Sequence, residues 1–152
     1  MILIECDPDE FMVKSIGFLK VKHVNGKGNV MNMVGKIPGV IGIIDDDPGN
    51  SQPSERLKYI EKESKSTIKL LVKNNDESKK IIVLSPDLEG WILSRAKLNR
   101  VSPKKFGLPD DGHGLHSIYH IEKKKNFRDF IEELIDKEDE EIEELKTWLN
   151  GY

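Results

Sequence analysis

Internal disulfides are excluded at the outset, because the 152-residue chain contains one cysteine, Cys6, and therefore no pair to join. Cys6 closes an apolar segment that reads as a strand end, where a thiol serves packing more often than chemistry. Long apolar runs are missing too. None approaches the roughly 20 residues that span a bilayer, and Met1-Ile2-Leu3-Ile4-Glu5 is not a basic region leading into a long apolar one. A cytoplasmic protein without a membrane partner is expected. Aromatic residues are sparse at 7%, and charged residues, at 34%, nearly match the 37% that are hydrophobic. The apolar residues nevertheless fall in blocks, and the length suits one core, so a single domain over residues 1–152 is expected.

Positive charge is scarce in one place only. Between Glu132 and Glu144 there are nine acids and one base, although the net charge of the whole chain is only -3. The rest of the chain is therefore net basic, which tolerates a phosphate-backbone partner without requiring one. The acidic end offers either a solvated face or a surface for assembly into a homo-oligomer.

What is present is a regular alternation. Ile2-Leu3-Ile4 is a short apolar run ended by Glu5-Cys6-Asp7-Pro8, and Asp7, Pro8 and Glu10 have the residue types of an N-cap, a first helical position and a capping box. Met12 and Ile16 then share a helical face that stops at Gly17. Phe18, Val21 and Val24 mark a second strand. After Asn25-Gly26-Lys27-Gly28-Asn29, the spacing of Val30, Met33, Val34 and Ile37 predicts a helix capped by Asn29 and closed by Pro38-Gly39. Val40 to Ile44 is apolar without alternation, as in a central strand covered on both faces, and it runs directly into Asp45-Asp46-Asp47-Pro48-Gly49. Residues 1–49 thus read as a βαβαβ core with a parallel sheet.

Beyond it, Asn50 to Lys65 is polar and is expected to form a loop with a weak helix from Glu55 to Ser64. Ile68 to Val72 and Ile81 to Leu84 read as strands of a hairpin that adds antiparallel pairing. Ser85-Pro86 opens a helix with Leu88, Trp91, Ile92 and Ala96 inward, and Val101 to Asp111 is loop. Helices over 125–150 follow, with Phe127, Phe130, Ile131 and Leu134 on one face and Ile142, Leu145, Trp148 and Leu149 on another. The acids between these faces read as solvated.

In parallel sheets, ligands collect beyond the carboxyl ends of the strands, and Glu5 and the three aspartates fall there. Asp45 and Asp47, two apart on an extended strand end, leave the same side while Asp46 points elsewhere. Two such carboxylates suit Mg²⁺, which commonly takes one or two and completes its octahedron with water and phosphate oxygens. A solvated Asp-Pro-Gly turn is the plainer alternative. Gly26-Lys27-Gly28 before a helix offers free amides and a lysine for a phosphate, and a glycine turn equally needs no ligand.

Ile2-Leu3-Ile4-Glu5, Asn25-Gly26-Lys27-Gly28-Asn29 and Ile43-Ile44-Asp45-Asp46-Asp47 resemble, in order and setting, the glutamate, glycine-turn and Asp-x-Asp motifs of Toprim domains. These occur in primases, topoisomerases, OLD-type nucleases and small stand-alone proteins. The resemblance covers the first third closely and implies a Toprim-like (Rossmann-like) α/β fold, a mostly parallel sheet with helices around it. It also implies Glu5 as acid-base residue, and Asp45 and Asp47 as ligands of Mg²⁺ with Mn²⁺ as substitute. Ser85-Pro86-Asp87-Leu88-Glu89-Gly90-Trp91 resembles a segment of small Toprim-like proteins, which makes Glu89 a fourth acid and a further candidate metal ligand. A Mg²⁺-dependent, nuclease-like hydrolase acting on nucleic acid is implied. The strand-end acids are also compatible with a phosphoaccepting receiver module, and the whole edge with a catalytically silent binding domain. His113, His116 and His120, without a helix to align the early pair and without a zinc-type motif, read as loop packing or substrate contact.

Overall fold

The computed structural model describes residues 1–151. A short strand, β1 (Ile2–Ile4), leads into α1 (Asp7–Ser15), β2 (Val21–His23), α2 (Lys27–Lys36) and β3 (Ile41–Asp45). An antiparallel excursion follows, with β4 (Tyr59–Lys65), β5 (Ile68–Lys73) and β6 (Asp76–Leu84). The remainder is helical: α3 (Leu88–Leu98), α4 (Gly112–His116), α5 (Lys125–Asp136) and α6 (Glu140–Asn150). The six strands form one mixed sheet in the order β2-β1-β3-β6-β5-β4. β1 pairs in parallel with β2 and β3, and β3 with β6, whereas β5 runs antiparallel to both its neighbours.

Alternation along the strands builds two cores. Ile2, Ile4, Ile41, Ile43, Ile82 and Leu84 face α1, α3, α5 and α6 on one side, where Trp91 and Phe130 are fully buried. Leu3, Ile44, Ile81 and Val83 face α2 on the other. Both faces of β3 are thus covered, which explains its unbroken apolar run. Gly42 lets α2 come close, since a Cβ there would meet Val30 Cγ1 at 2.7 Å.

Several boundaries differ from the sequence expectation. α1 is capped by Cys6, not Asp7, and it is Asp9, not Glu10, that reaches back to accept the Cys6 N–H at 3.2 Å. The apolar run thus turns into helix one residue earlier, because Cys6 holds the extended cap conformation and Pro8 is accommodated within the first turn. α2 likewise begins at Lys27 behind Gly26, with Asn29 inside the helix. No helix covers Glu55 to Ser64: a 3₁₀ turn over Ser54–Lys58 gives way to β4. That strand lies at the sheet edge with Ile60 to Ser64 exposed, so no apolar alternation marks it, and its charges protect the edge from further pairing. β6 starts at Asp76, because the turn is confined to Asn74-Asn75 and Asn75 takes a left-handed φ of 67°.

The C-terminal acids are not all solvated. Asp139 and Glu141 are 3% and 2% exposed, and both pair with Arg95 of α3. Asp139 receives Arg95 Nε and Nη2 at 2.8 Å each, and it caps α6 by accepting the N–H groups of Glu141 and Ile142. Glu141 also accepts from the Thr67 N–H and hydroxyl. This buried network fastens α6 to α3 and to the β4–β5 turn.

Candidate metal centre

Three adjacent parallel strands, β1, β3 and β6, end side by side, and the chain leaves each through a polar residue: Glu5, Asp45 and Ser85. Glu5 is half-buried, with the Asp45 backbone close enough to its carboxylate to lower its proton affinity. Asp45 accepts the Leu88 N–H at 2.9 Å, which ties the end of β3 to the start of α3. Asp46 turns the other way and accepts the Ser85 hydroxyl at 2.6 Å. Asp47 pairs with Lys27 Nζ at 3.1 Å.

Asp45 and Asp47 do share one cleft, of about 290 Å³, with Asp87, Glu89, Gly112, His113 and His116. Asp46 lines a different one, beside Gln52 and Tyr59. The separation arises otherwise than by extended geometry, because Asp47 adopts a left-handed φ of 48° and turns the chain back. Glu89 joins them from the first turn of α3, where Asp87 caps the helix by accepting the Gly90 N–H at 2.7 Å.

The electrostatics show how crowded these acids are. Burial, then Asp9, Glu5, Glu89 and Asp47, pushes the Asp45 carboxyl up to about 9. Burial also raises Glu5, against the pull of Lys27. Asp9 was not anticipated. It is 3% exposed, its carboxyl is pushed up to about 7 chiefly by burial, and Glu5 and Glu89 add to the rise. Its signal lay in spacing: an acid four residues after Glu5, in the first turn of a helix that starts at a strand end, is carried back toward that end. Cys6 packs its thiol 3.1 Å from the Asp9 carboxylate, and burial raises the thiol far above its ordinary range, so it is no nucleophile.

Two buried carboxylate oxygens, Glu5 Oε1 and Asp9 Oδ1, have no hydrogen-bond partner among the described residues. Buried oxygens without donors, among five mutually repelling acids, are the environment a hard cation offsets. The donor set is all oxygen, as Mg²⁺ prefers. Asp45, Asp47 and Glu89 line the cleft, however, while Glu5 and Asp9 do not, so the five do not form one compact shell. Among the described residues, one trio of metal-ligating type has atoms within 4.8 Å of one another, and it is Asp7, His120 and Glu122.

Gly26, Lys27 and Gly28 are divided in their roles. Lys27 Nζ donates to the Asp46 carbonyl at 3.1 Å as well as pairing with Asp47, so it serves the acidic cluster directly. Gly28 sits under the 52–53 segment, where a Cβ would press on Pro53 at 3.2 Å. The first-turn amides of α2 remain the free donors of a helix start.

The early histidines do lie on a helix, contrary to expectation. Asp111 caps α4 through the Gly114 N–H at 2.7 Å, and Gly114 is required because a Cβ would meet Pro109 at 2.7 Å. His116 Nδ1 lies 3.2 Å from Glu89 Oε1, and both residues also line a second cleft with Asp7, His23, His120 and Glu122.

No family model matches the chain, and no curated protein or solved structure matches it. Among the described residues no helix is long and apolar enough to cross a membrane.

Proposed function

We propose that the chain is a Toprim-like, Mg²⁺-dependent phosphoryl-transfer protein acting on nucleic acid by nuclease-like phosphodiester hydrolysis. One observation carries this above the others: Asp45, Asp47 and Glu89 line a single cleft, and beside Asp45 stands Glu5 with a buried, unpartnered oxygen. Asp45 and Asp47 would hold Mg²⁺, which would supply positive charge against a phosphodiester oxygen and orient water. Glu5 takes the proton of the attacking water as the new P–O bond forms, and it returns that proton to the sugar oxygen as the old bond breaks. Burial raises its affinity for a proton, which suits a group that both takes and returns one. Lys27, together with the first-turn amides of α2 beyond Gly26, steadies a neighbouring phosphate. Glu89 adds a further carboxylate, and its contact with His116 fixes its direction.

A receiver-type role is less well supported by the topology. Such a module needs a lysine at the end of a fifth parallel strand, and beyond β6 the sheet continues antiparallel. The deciding experiment is cleavage of single- and double-stranded DNA and RNA with Mg²⁺ or Mn²⁺. The Asp45→Asn/Asp47→Asn variant should be inactive. Retained metal binding without cleavage of any of the four substrates would favour a silent binding domain.

A further inference from the structure

The second cleft, of about 230 Å³, is lined by Asp7, His23, Glu89, His116, His120 and Glu122. Three of these converge. One ligand atom each from Asp7, His120 and Glu122 lies within 4.8 Å of the other two. They arrive from distant parts of the chain: Asp7 from the first turn of α1, and His120 and Glu122 from the 3₁₀ segment that packs against that helix.

Their geometry and chemistry fit a borderline transition metal better than Mg²⁺. An imidazole nitrogen with two carboxylates is a set that Zn²⁺ accepts, with bonds of about 2.0–2.2 Å. At tetrahedral angles such bonds place neighbouring ligands roughly 3.4 Å apart. His120 Nδ1 and Glu122 Oε1 already stand at 3.2 Å. A metal would replace the hydrogen bond between these two atoms, and the exposed Asp7 side chain is free to close the set.

His23 adds another nitrogen ligand type at the same cleft: its Nε2 contacts the Glu5 carbonyl oxygen, and its Nδ1 faces Asp7 Oδ1 at 3.5 Å.

We infer that Asp7, His120 and Glu122 form a Zn²⁺-type transition-metal site, with His23 beside Asp7 and one coordination position open to the cleft. The site is distinct from the acidic centre: none of its three ligands lines the Asp45–Asp47 cleft. It therefore holds whether or not the chain cleaves nucleic acid.

The test is calorimetric titration of the untagged, metal-stripped full chain with Zn²⁺, alongside visible absorption of the Co²⁺-loaded protein. Wild type should bind one equivalent whose affinity falls about 100-fold or more in His120→Ala and in Glu122→Gln, a loss at or above that seen for ligand-supporting residues. Asp45→Asn/Asp47→Asn and His113→Ala/His116→Ala should bind Zn²⁺ as wild type does. Circular dichroism and a thermal melt establish that each variant is folded, and Glu122→Gln, nearly isosteric, stands in if His120→Ala is not. Absence of Zn²⁺ binding in wild type overturns the inference. So does affinity that survives both ligand substitutions, or that disappears with His113 and His116 instead.

Discussion

Lys27 Nζ lies 3.1 Å from the Asp47 carboxylate and 3.1 Å from the Asp46 carbonyl oxygen, so one cation already stands at the edge of the acidic cluster. Its side chain is only 11% exposed, and it lowers the proton affinity of Glu5. Lys27→Met keeps the length and removes the charge. The metal-free protein should lose about 1.5–3 kcal/mol, the usual contribution of a charged hydrogen bond. Urea unfolding measures it, and excess Mg²⁺ should recover part of the loss.

Without metal, the chain should be more stable in mild acid than in mild base. Asp9 holds its proton up to about 7 when folded but only to its ordinary 3.8 when unfolded, and Asp45 holds its own up to about 9. Above 3.8 the folded chain therefore binds more protons than the unfolded one, and stability falls as pH rises. Each such proton contributes about 1.4 kcal/mol per pH unit until its folded value is passed. Melts between pH 5 and pH 9 should show the decline, first from both acids and then from Asp45 alone. Mg²⁺ should flatten the upper part, since it binds the deprotonated form.

In the metal-free chain Asp45 holds its proton up to about 9, so Asp45→Asn relieves little repulsion near neutral pH and its amide oxygen can still accept the Leu88 N–H, whereas Asp47→Asn gives up the ion pair with Lys27. The metal-free variant should melt about 2–4 °C below wild type at neutral pH, the shift that a loss of about 1 kcal/mol produces in a chain of this size. Its melt should no longer respond to Mg²⁺. Equal Mg²⁺ stabilisation of both proteins would exclude these residues as ligands.

Glu5→Gln preserves size and hydrogen-bonding reach but cannot take up a proton as a carboxylate does. Cleavage turnover should fall about 10²- to 10⁴-fold with little change in Mg²⁺ affinity. A Mg²⁺ titration of rate distinguishes this from a ligand role, in which excess metal would restore the rate.

Arg95→Met should be the most destabilising of these changes. It leaves Asp139 and Glu141 buried without their shared counter-charge, a situation that costs about 3–5 kcal/mol. Chemical denaturation measures it. The partners' carboxylates should then favour protonation, so the variant should recover stability as pH is lowered.

The first 45 residues are legible because their signals are local: helical spacing in α2, an apolar run in β3, a proline-led start for α1. β4 is hidden because an edge strand with its side chains in water needs no apolar alternation. Asp9 is hidden by a one-residue shift of the helix cap, which turns a seemingly ordinary first-turn acid inward. Nine acids between Glu132 and Glu144 look alike in sequence, and only tertiary placement selects Asp139 and Glu141 for Arg95, more than 40 residues away. The pairing of Glu89 with His116 is nonlocal in the same sense. Types of residue at strand ends are readable, whereas which of them meet is decided by the sheet order.

That order also has a consequence during synthesis. β3 lies beside β6, with Asp45 opposite Leu84, and the Leu88 amide that holds the Asp45 carboxylate is made 43 residues later. A nascent chain that has emerged only through the aspartates carries Glu5, Asp9, Asp45 and Asp47 yet lacks the strand and helix start that orient them. Closing so long a loop costs entropy before any contact offsets it. Ion uptake at this edge would thus begin only after the hairpin of β5 and β6 has docked, and the ion would act as a reporter that translation has passed α3.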